Sequence, residues 1–179
     1  MIHLMLADGF EEIEALATLD ILRRCGLEVT TVSNTGTRLI TGAHNIPVMA
    51  DTVFRKGELL DSEAIILPGG MPGAKNLLSS EGLRKVLVAL HEKEVLIAAI
   101  CAAPMVLGQH GLLEGRNATC YPGFEDQLTG ANFVNKMVVE DGQIITGRGP
   151  AAAVEFAFAI AARFVAPRVI EEVRQGMLF

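Results

Sequence analysis

The stretch Val95-Leu96-Ile97-Ala98-Ala99-Ile100-Cys101-Ala102-Ala103-Pro104 decides how this chain is read. Residues 95–100 are an unbroken apolar run without polar alternation, the pattern of a strand covered on both faces and therefore of a central strand in a parallel sheet. Pro104 suits the first position of a helix, where its missing N–H leaves no bond unmade. A buried strand that passes at once into a helix puts the residue between them, Cys101, at the carboxyl edge of the sheet, where ligands bind in open α/β folds. The small neighbours Ala99, Ala102 and Ala103 leave room for a sharp turn. The arrangement is that of a nucleophile elbow, with alanines for the glycines of G-x-S-x-G and a thiol for the hydroxyl, and the helix N-terminus behind it is expected to favour the thiolate. The competing assignment is a buried core cysteine, which fits Cys25 and Cys120 better.

Outward from this stretch, short apolar runs alternate with amphipathic ones, as in an α/β layer fold. Residues 64–67 give a second central strand. Residues 2–6 read as a first strand, 11–25 as a helix closed by Gly26, and 28–33 as a second strand, with a turn at Asn34-Thr35-Gly36. A weaker strand is expected at 46–51 and a helix at 83–92. Asp141-Gly142 between 137–139 and 144–146 is a hairpin signal, so one edge should carry a small antiparallel extension. Residues 151–165 form a strongly apolar helix, and Pro167 separates it from a last short one. No linker, repeat or low-complexity tract interrupts the pattern, so a single domain over 1–179 is expected.

Composition narrows the function classes. The chain has 179 residues, 50% of them hydrophobic and 20% charged, and a globular chain of this length buries roughly 70% of its unfolded surface. Lys plus Arg total 15 against 21 Asp plus Glu, a net charge of -6 without a basic run, which argues against sequence-specific nucleic-acid binding. The apolar start is short and runs straight into Asp8, Glu11, Glu12 and Glu14, unlike a signal peptide. No apolar stretch has the length of a membrane span. Three cysteines without C-x-x-C spacing suggest neither a zinc site nor a disulfide framework, and a reducing cytoplasm is the expected location.

Two further features accompany Cys101. In Leu67-Pro68-Gly69-Gly70-Met71-Pro72-Gly73, paired glycines after a central strand permit close approach of backbone to a ligand, and their N–H groups suit an oxyanion hole; a simple tight turn accounts for them equally well. The loop has neither the P-loop pattern nor G-x-G-x-x-G. Glu14, Ala17, Ile21 and Cys25 share one helical stripe, which puts the Glu14 carboxyl among apolar residues, whereas Glu11 and Glu12 point elsewhere. Desolvation there raises a carboxyl pKa and suits proton transfer beside a thiolate; an acid favoured by the helix dipole is the plainer account. Leu16, Leu19 and Leu22 give the helix a second apolar side, suited to burial against another layer or another subunit, and a homodimer is expected from it.

The remaining candidates are single residues. His3, His44, His91 and His110 lack metal-ligand spacing and are expected at the surface or at helix ends, so no catalytic metal is expected. Tyr121 follows a strand and either reaches a cleft or packs. Arg148, in Arg148-Gly149-Pro150, either binds a carboxylate or holds a loop.

Taken in order, residues 6–14 (LADGFEEIE), Leu67-Pro68-Gly69-Gly70, residues 98–104 (AAICAAP) and Arg148-Gly149-Pro150 resemble the ThiJ/PfpI superfamily, in particular its branch of parkinsonism-associated protein deglycases. The resemblance spans essentially the whole chain. It implies a flavodoxin-like, doubly wound, mostly parallel sheet between helices, and a homodimer. It also implies Cys101 as nucleophile, Glu14 as protonated partner, the Gly70 and Ala102 amides as oxyanion donors, and no cofactor. The implied activity is glutathione-independent conversion of oxoaldehydes such as methylglyoxal to hydroxy acids, or repair of early glycation adducts. Gly69, Tyr121 and Arg148 are the implied substrate contacts. Many relatives have His where Tyr121 stands, which removes an imidazole from the site and weakens a peptidase reading. The alternative role is a redox sensor or chaperone built on an oxidisable Cys101.

Overall fold

The computed structural model describes residues 1–55 and 59–179. In chain order the elements are β1 (Ile2–Leu6), α1 (Glu12–Arg24), β2 (Val29–Ser33), β3 (Leu39–Thr41), β4 (Pro47–Met49), β5 (Thr52–Val53), β6 (Ala64–Leu67), α2 (Gly73–Leu78), α3 (Glu81–Glu92) and β7 (Leu96–Ile100). Then follow α4 (Pro104–Gln109), β8 (Asn117–Ala118), β9 (Asn132–Phe133), β10 (Val138–Asp141), β11 (Ile144–Gly147), α5 (Ala153–Ala161) and α6 (Pro167–Gly176).

The main sheet has the order β10-β11-β7-β6-β1-β2-β5. Every neighbouring pair is parallel except β10 with β11, the hairpin at one edge. The apolar runs explain why helices cover both faces. Along β6 and β7, Ala64, Ile66, Leu96, Ala98 and Ile100 enter one core with α1 and α5, while Ile65, Leu67, Ile97 and Ala99 enter the other with α2, α3 and α4. This is the strand period of two with both sides buried, hence a doubly wound sheet.

Several local expectations are refined. The strand expected at 46–51 is the three-residue β4, which pairs with β3 in a separate two-stranded sheet, and the main sheet takes only β5 from this region. Helix α2 was not anticipated, because Gly73 and the prolines before it conceal a short helix. The apolar helix expected over 151–165 is shortened to α5, with a 3-10 turn at Pro150–Ala152 before it. Gly26 closes α1 as expected: it adopts φ +79°, and the Leu27 N–H donates to the Leu22 carbonyl at 3.1 Å.

The loops after β1 and β6 cross at the carboxyl edge, and glycines permit the crossing. Gly9 has φ +85°, and a Cβ there would strike Pro72 Cδ. Gly70 has φ +84°, and its Cβ would strike the backbone of Gly9 and Glu11. Backbone bonds from Glu11 N–H to Gly69 O at 2.9 Å and from Gly73 N–H to Gly9 O at 3.2 Å lock the crossing. Gly26 shares the left-handed backbone, but a Cβ there would meet nothing. Gly26→Ala should therefore cost about 1 kcal/mol, the backbone contribution alone, and Gly9→Ala about 2–5 kcal/mol because overpacking adds to it. Urea unfolding of the two variants measures the difference.

Candidate active site

Cys101 is the first residue after β7. It adopts φ +65°, a left-handed conformation that a non-glycine residue holds only when its surroundings enforce it. The enforcing bonds are its N–H to the Gly147 carbonyl at 2.9 Å and its carbonyl accepting from the Tyr121 N–H at 2.8 Å. Only 8% of the residue is exposed. Helix α4 starts at Pro104, the expected first helical position.

Glu14 lies in the first turn of α1 and has no exposed surface. Ile21 and Cys25, further along its stripe, are buried too. Glu14 Oε2 accepts the Gly69 N–H at 2.8 Å, while the buried Oε1 has no amide or hydroxyl partner among the described residues. A Cβ on Gly69 would lie 2.5 Å from Cys101 Cβ and 2.7 Å from Glu14 Oε2. Glycine is thus what brings the β6 loop, the α1 carboxyl and the elbow thiol together.

The electrostatics follow from that enclosure. Burial pushes the Glu14 carboxyl up to about 7; contacts from Cys101 and the Gly69 N–H oppose the rise, and the Glu11 charge adds to it. Burial, followed by the negative charge of Glu14 and its hydrogen bond, pushes the Cys101 thiol up to about 12, against the Gly70 and Ala102 N–H groups, which favour the thiolate. The expectation that the helix N-terminus lowers the thiol is corrected here: the amides act in that direction, but desolvation and the neighbouring carboxylate outweigh them. Between those two values the pair holds one proton. With that proton on Glu14, the carboxylate charge is removed and an O–H donor faces the sulfur, so the pair presents a thiolate beside an acid.

Glu11 and Glu12 depart from expectation. Both are buried, and Glu11 Oε2 accepts the Glu14 N–H at 2.7 Å, capping α1. Three carboxylates within four residues were the available signal, but helical spacing alone assigned only one of them inward. Tyr121 and Arg148, with Pro122, Met137, Gly149, Pro150 and Ala151, line an open hollow of about 250 Å³. Tyr121 is exposed, and its ring lies against Gly149, where a Cβ would be 3.1 Å from Cδ2. The Tyr121 amide bonded to Cys101 makes this hollow a neighbour of the elbow, although neither Cys101 nor Glu14 lines it. His91 and His110 sit at helix ends; His3, on β1, is instead bonded to Ser62 Oγ at 2.8 Å.

The chain matches the DJ-1/PfpI family over residues 1–163. It belongs to that family. It is 36% identical over 176 residues to the protein dj-1beta of Drosophila melanogaster, covering 97% of this chain and 94% of that one. The crystal structure of Drosophila melanogaster DJ-1beta superposes with a TM-score of 0.93 at 35% identity, covering 99% and 96% of the two chains. A Caenorhabditis elegans relative named glutathione-independent glyoxalase is 34% identical over 152 residues, 84% of this chain and 80% of its own. Among the described residues no helix is long and apolar enough to cross a membrane.

The raised carboxyl gives a pH signature with a definite sign. Glu14 titrates near 4.5 when unfolded and near 7 when folded, so the stability present below the lower value is lost as pH rises through the upper one. Glu14→Gln removes that loss. Relative to wild type, its unfolding free energy should gain about 3 kcal/mol between acid and mildly alkaline pH, measured by urea unfolding across the range. A constant difference would contradict the burial of an ionisable carboxyl.

Proposed function

We propose that this family member is a cysteine-dependent, glutathione-independent glyoxalase that converts oxoaldehydes such as methylglyoxal to hydroxy acids. The observation that carries the reading is the Cys101 thiol on a left-handed elbow against a buried Glu14 carboxyl, one oxygen of which has no amide or hydroxyl partner among the described residues. The glyoxalase name of the Caenorhabditis elegans relative supports the reaction class.

In the proposed sequence the Cys101 thiolate adds to the aldehyde carbon, and Glu14 gives its proton to the new oxyanion, yielding a hemithioacetal. The Gly70 and Ala102 N–H groups, which already favour negative charge at the sulfur, are the donors for that oxyanion. The Glu14 carboxylate then removes the proton from the former aldehyde carbon to give an enediol, and protonation of the adjacent carbon completes a thioester. The aldehyde carbon is oxidised and the ketone carbon reduced, so no external redox partner or cofactor enters. Water hydrolyses the thioester, releasing lactate and the thiol. Tyr121 and Arg148 border the site and are proposed to hold the rest of the substrate, with the Gly69 backbone beside the reacting centre. Of the leucines expected on the second apolar side of α1, Leu22 is buried in this chain's own core and Leu19 packs against that core, so exposed Leu16, with Ile13, is the proposed contact for a second copy.

Lactate formed from methylglyoxal without glutathione, followed by proton NMR, tests the reading. Wild type should turn over repeatedly. Cys101→Ser should abolish turnover, and Glu14→Gln should lower it by at least about 100-fold. A stoichiometric adduct without turnover would refute the enzyme and leave oxidation sensing or chaperoning as the role of Cys101. Tyr121→Phe should raise KM if the hydroxyl holds substrate; unchanged kinetics would remove it from the site.

A further inference from the structure

The hollow beside the elbow measures about 250 Å³, far more than the single methyl group that methylglyoxal carries beyond its reacting carbons. Both backbone bonds of Cys101 lead to it. The Cys101 carbonyl accepts at 2.8 Å from the N–H of Tyr121, one wall of the hollow, and the Cys101 N–H donates at 2.9 Å to the carbonyl of Gly147, whose neighbour Arg148 is another wall. A substrate with its aldehyde at the thiol has this space for its far end.

Most of the walls are apolar. Tyr121 and Met137 are exposed, and Pro122 and Pro150 add flat surfaces between them. The Tyr121 ring lies against the backbone of Gly149, where a side chain would crowd it. Such walls suit a planar apolar body, because aromatic rings stack and a thioether packs at a ring edge. Arg148 is the exception. It is the only charged residue of the lining and is half-buried. Its N–H donates to the Met137 carbonyl at 2.9 Å, so the backbone rather than the guanidinium holds this loop. Seven arginines of the chain are ion-paired with carboxylates, and Arg38 donates to the Ala50 carbonyl at 2.7 Å. The Arg148 guanidinium has neither kind of partner among the described residues. Glu125, the acid that acts with Arg148 on buried Cys120, accepts the Gly123 N–H instead, at 2.7 Å.

We propose that this hollow is the specificity subsite for the far end of the substrate, and that it takes a carboxylate carried on a flat apolar body, with Arg148 as the anchor. The inference rests on the glyoxalase reading for the reaction and adds the substrate class: oxoaldehydes with an anionic far end are preferred over neutral ones. A guanidinium offers two parallel N–H donors that match a carboxylate, and the charge-assisted pair gains strength where water is partly excluded. Of the two roles that the sequence allows Arg148, holding a loop falls to its backbone, and binding a carboxylate remains for its side chain. Tyr121 and Met137 then flank the body that joins this carboxylate to the aldehyde. The bond-making stays with Cys101 and Glu14, and Arg148 decides which aldehydes reach them.

The test separates the subsite from the reaction. Para-formylbenzoate and para-formylbenzamide carry an aldehyde without an adjacent carbonyl, so with the Cys101 thiol they stop at a reversible hemithioacetal: one C–S bond forms and the thiol proton passes to the oxygen. Each is titrated against iodoacetamide alkylation of Cys101 in reduced protein, read by mass spectrometry at one pH, in wild type, Arg148→Met and Arg148→Lys. In wild type the benzoate should protect at a concentration at least about tenfold below that of the amide. That ratio should fall to about one in Arg148→Met, which keeps an unbranched side chain without the charge, and recover in part in Arg148→Lys. In turnover, para-carboxyphenylglyoxal should exceed phenylglyoxal in kcat/KM by a similar factor. The subsite is overturned if the two probes protect wild type equally, if neither protects, if the ratio survives in Arg148→Met, or if both glyoxals turn over with equal kcat/KM. Discrimination between the probes without turnover of either glyoxal refutes the glyoxalase reading alone and upholds the subsite.

Discussion

The hydrogen bond from the Gly69 amide to the Glu14 carboxyl, 2.8 Å long and cut off from solvent, is the contact around which the carboxyl edge of this sheet is arranged. It requires the β6 loop to pass so close to α1 that residue 69 carries no side chain. It requires the β1 loop to cross beneath, which places glycines at 9, 70 and 73. It also leaves the second carboxyl oxygen without an amide or hydroxyl partner among the described residues. A buried polar atom left so costs about 1–3 kcal/mol in a folded protein. Two apolar layers, filled from both faces of β1, β6 and β7, supply the stability that tolerates it.

The same enclosure governs the chemistry. Neither the thiol nor the carboxyl is an ordinary acid once solvent is excluded: burial raises both, the Glu14 charge raises the thiol further, and the Cys101 contact offsets part of the rise of the carboxyl. What matters for a nucleophile is then where the proton of the pair resides, rather than the ionisation of the thiol by itself. Two backbone N–H groups favour the thiolate form against that rise, and in the proposed function they and Glu14 act without an imidazole.

Much of this was legible in the sequence because it is carried by local periodicity. The unbroken apolar runs at 64–67 and 95–100 announced strands covered on both faces, and Pro104 marked the helix after the elbow. Helical arithmetic placed Glu14 inward. What local pattern missed depended on distant contacts. The β3 and β4 strands are three residues each and carry apolar Leu39 and Met49 at exposed positions, so their alternation of burial does not show in the residue types. Glu12 is buried only because a turn thirty residues away, with glycine at 42, folds over it. The helix dipole alone shifts the thiol down, and the opposite sign comes first from burial and then from a carboxyl that the sequence located without giving its distance.

The rate of Cys101 alkylation by iodoacetamide as a function of pH, in wild type and Glu14→Gln, tests the shared proton most directly. Cys25 and Cys120 are buried, and Cys101→Ser corrects for them. Loss of the first proton from the pair should produce a step near 7 in wild type and a plateau above it, with the step absent from Glu14→Gln. Superimposable profiles, rising only in the range of an ordinary isolated thiol, would contradict the account.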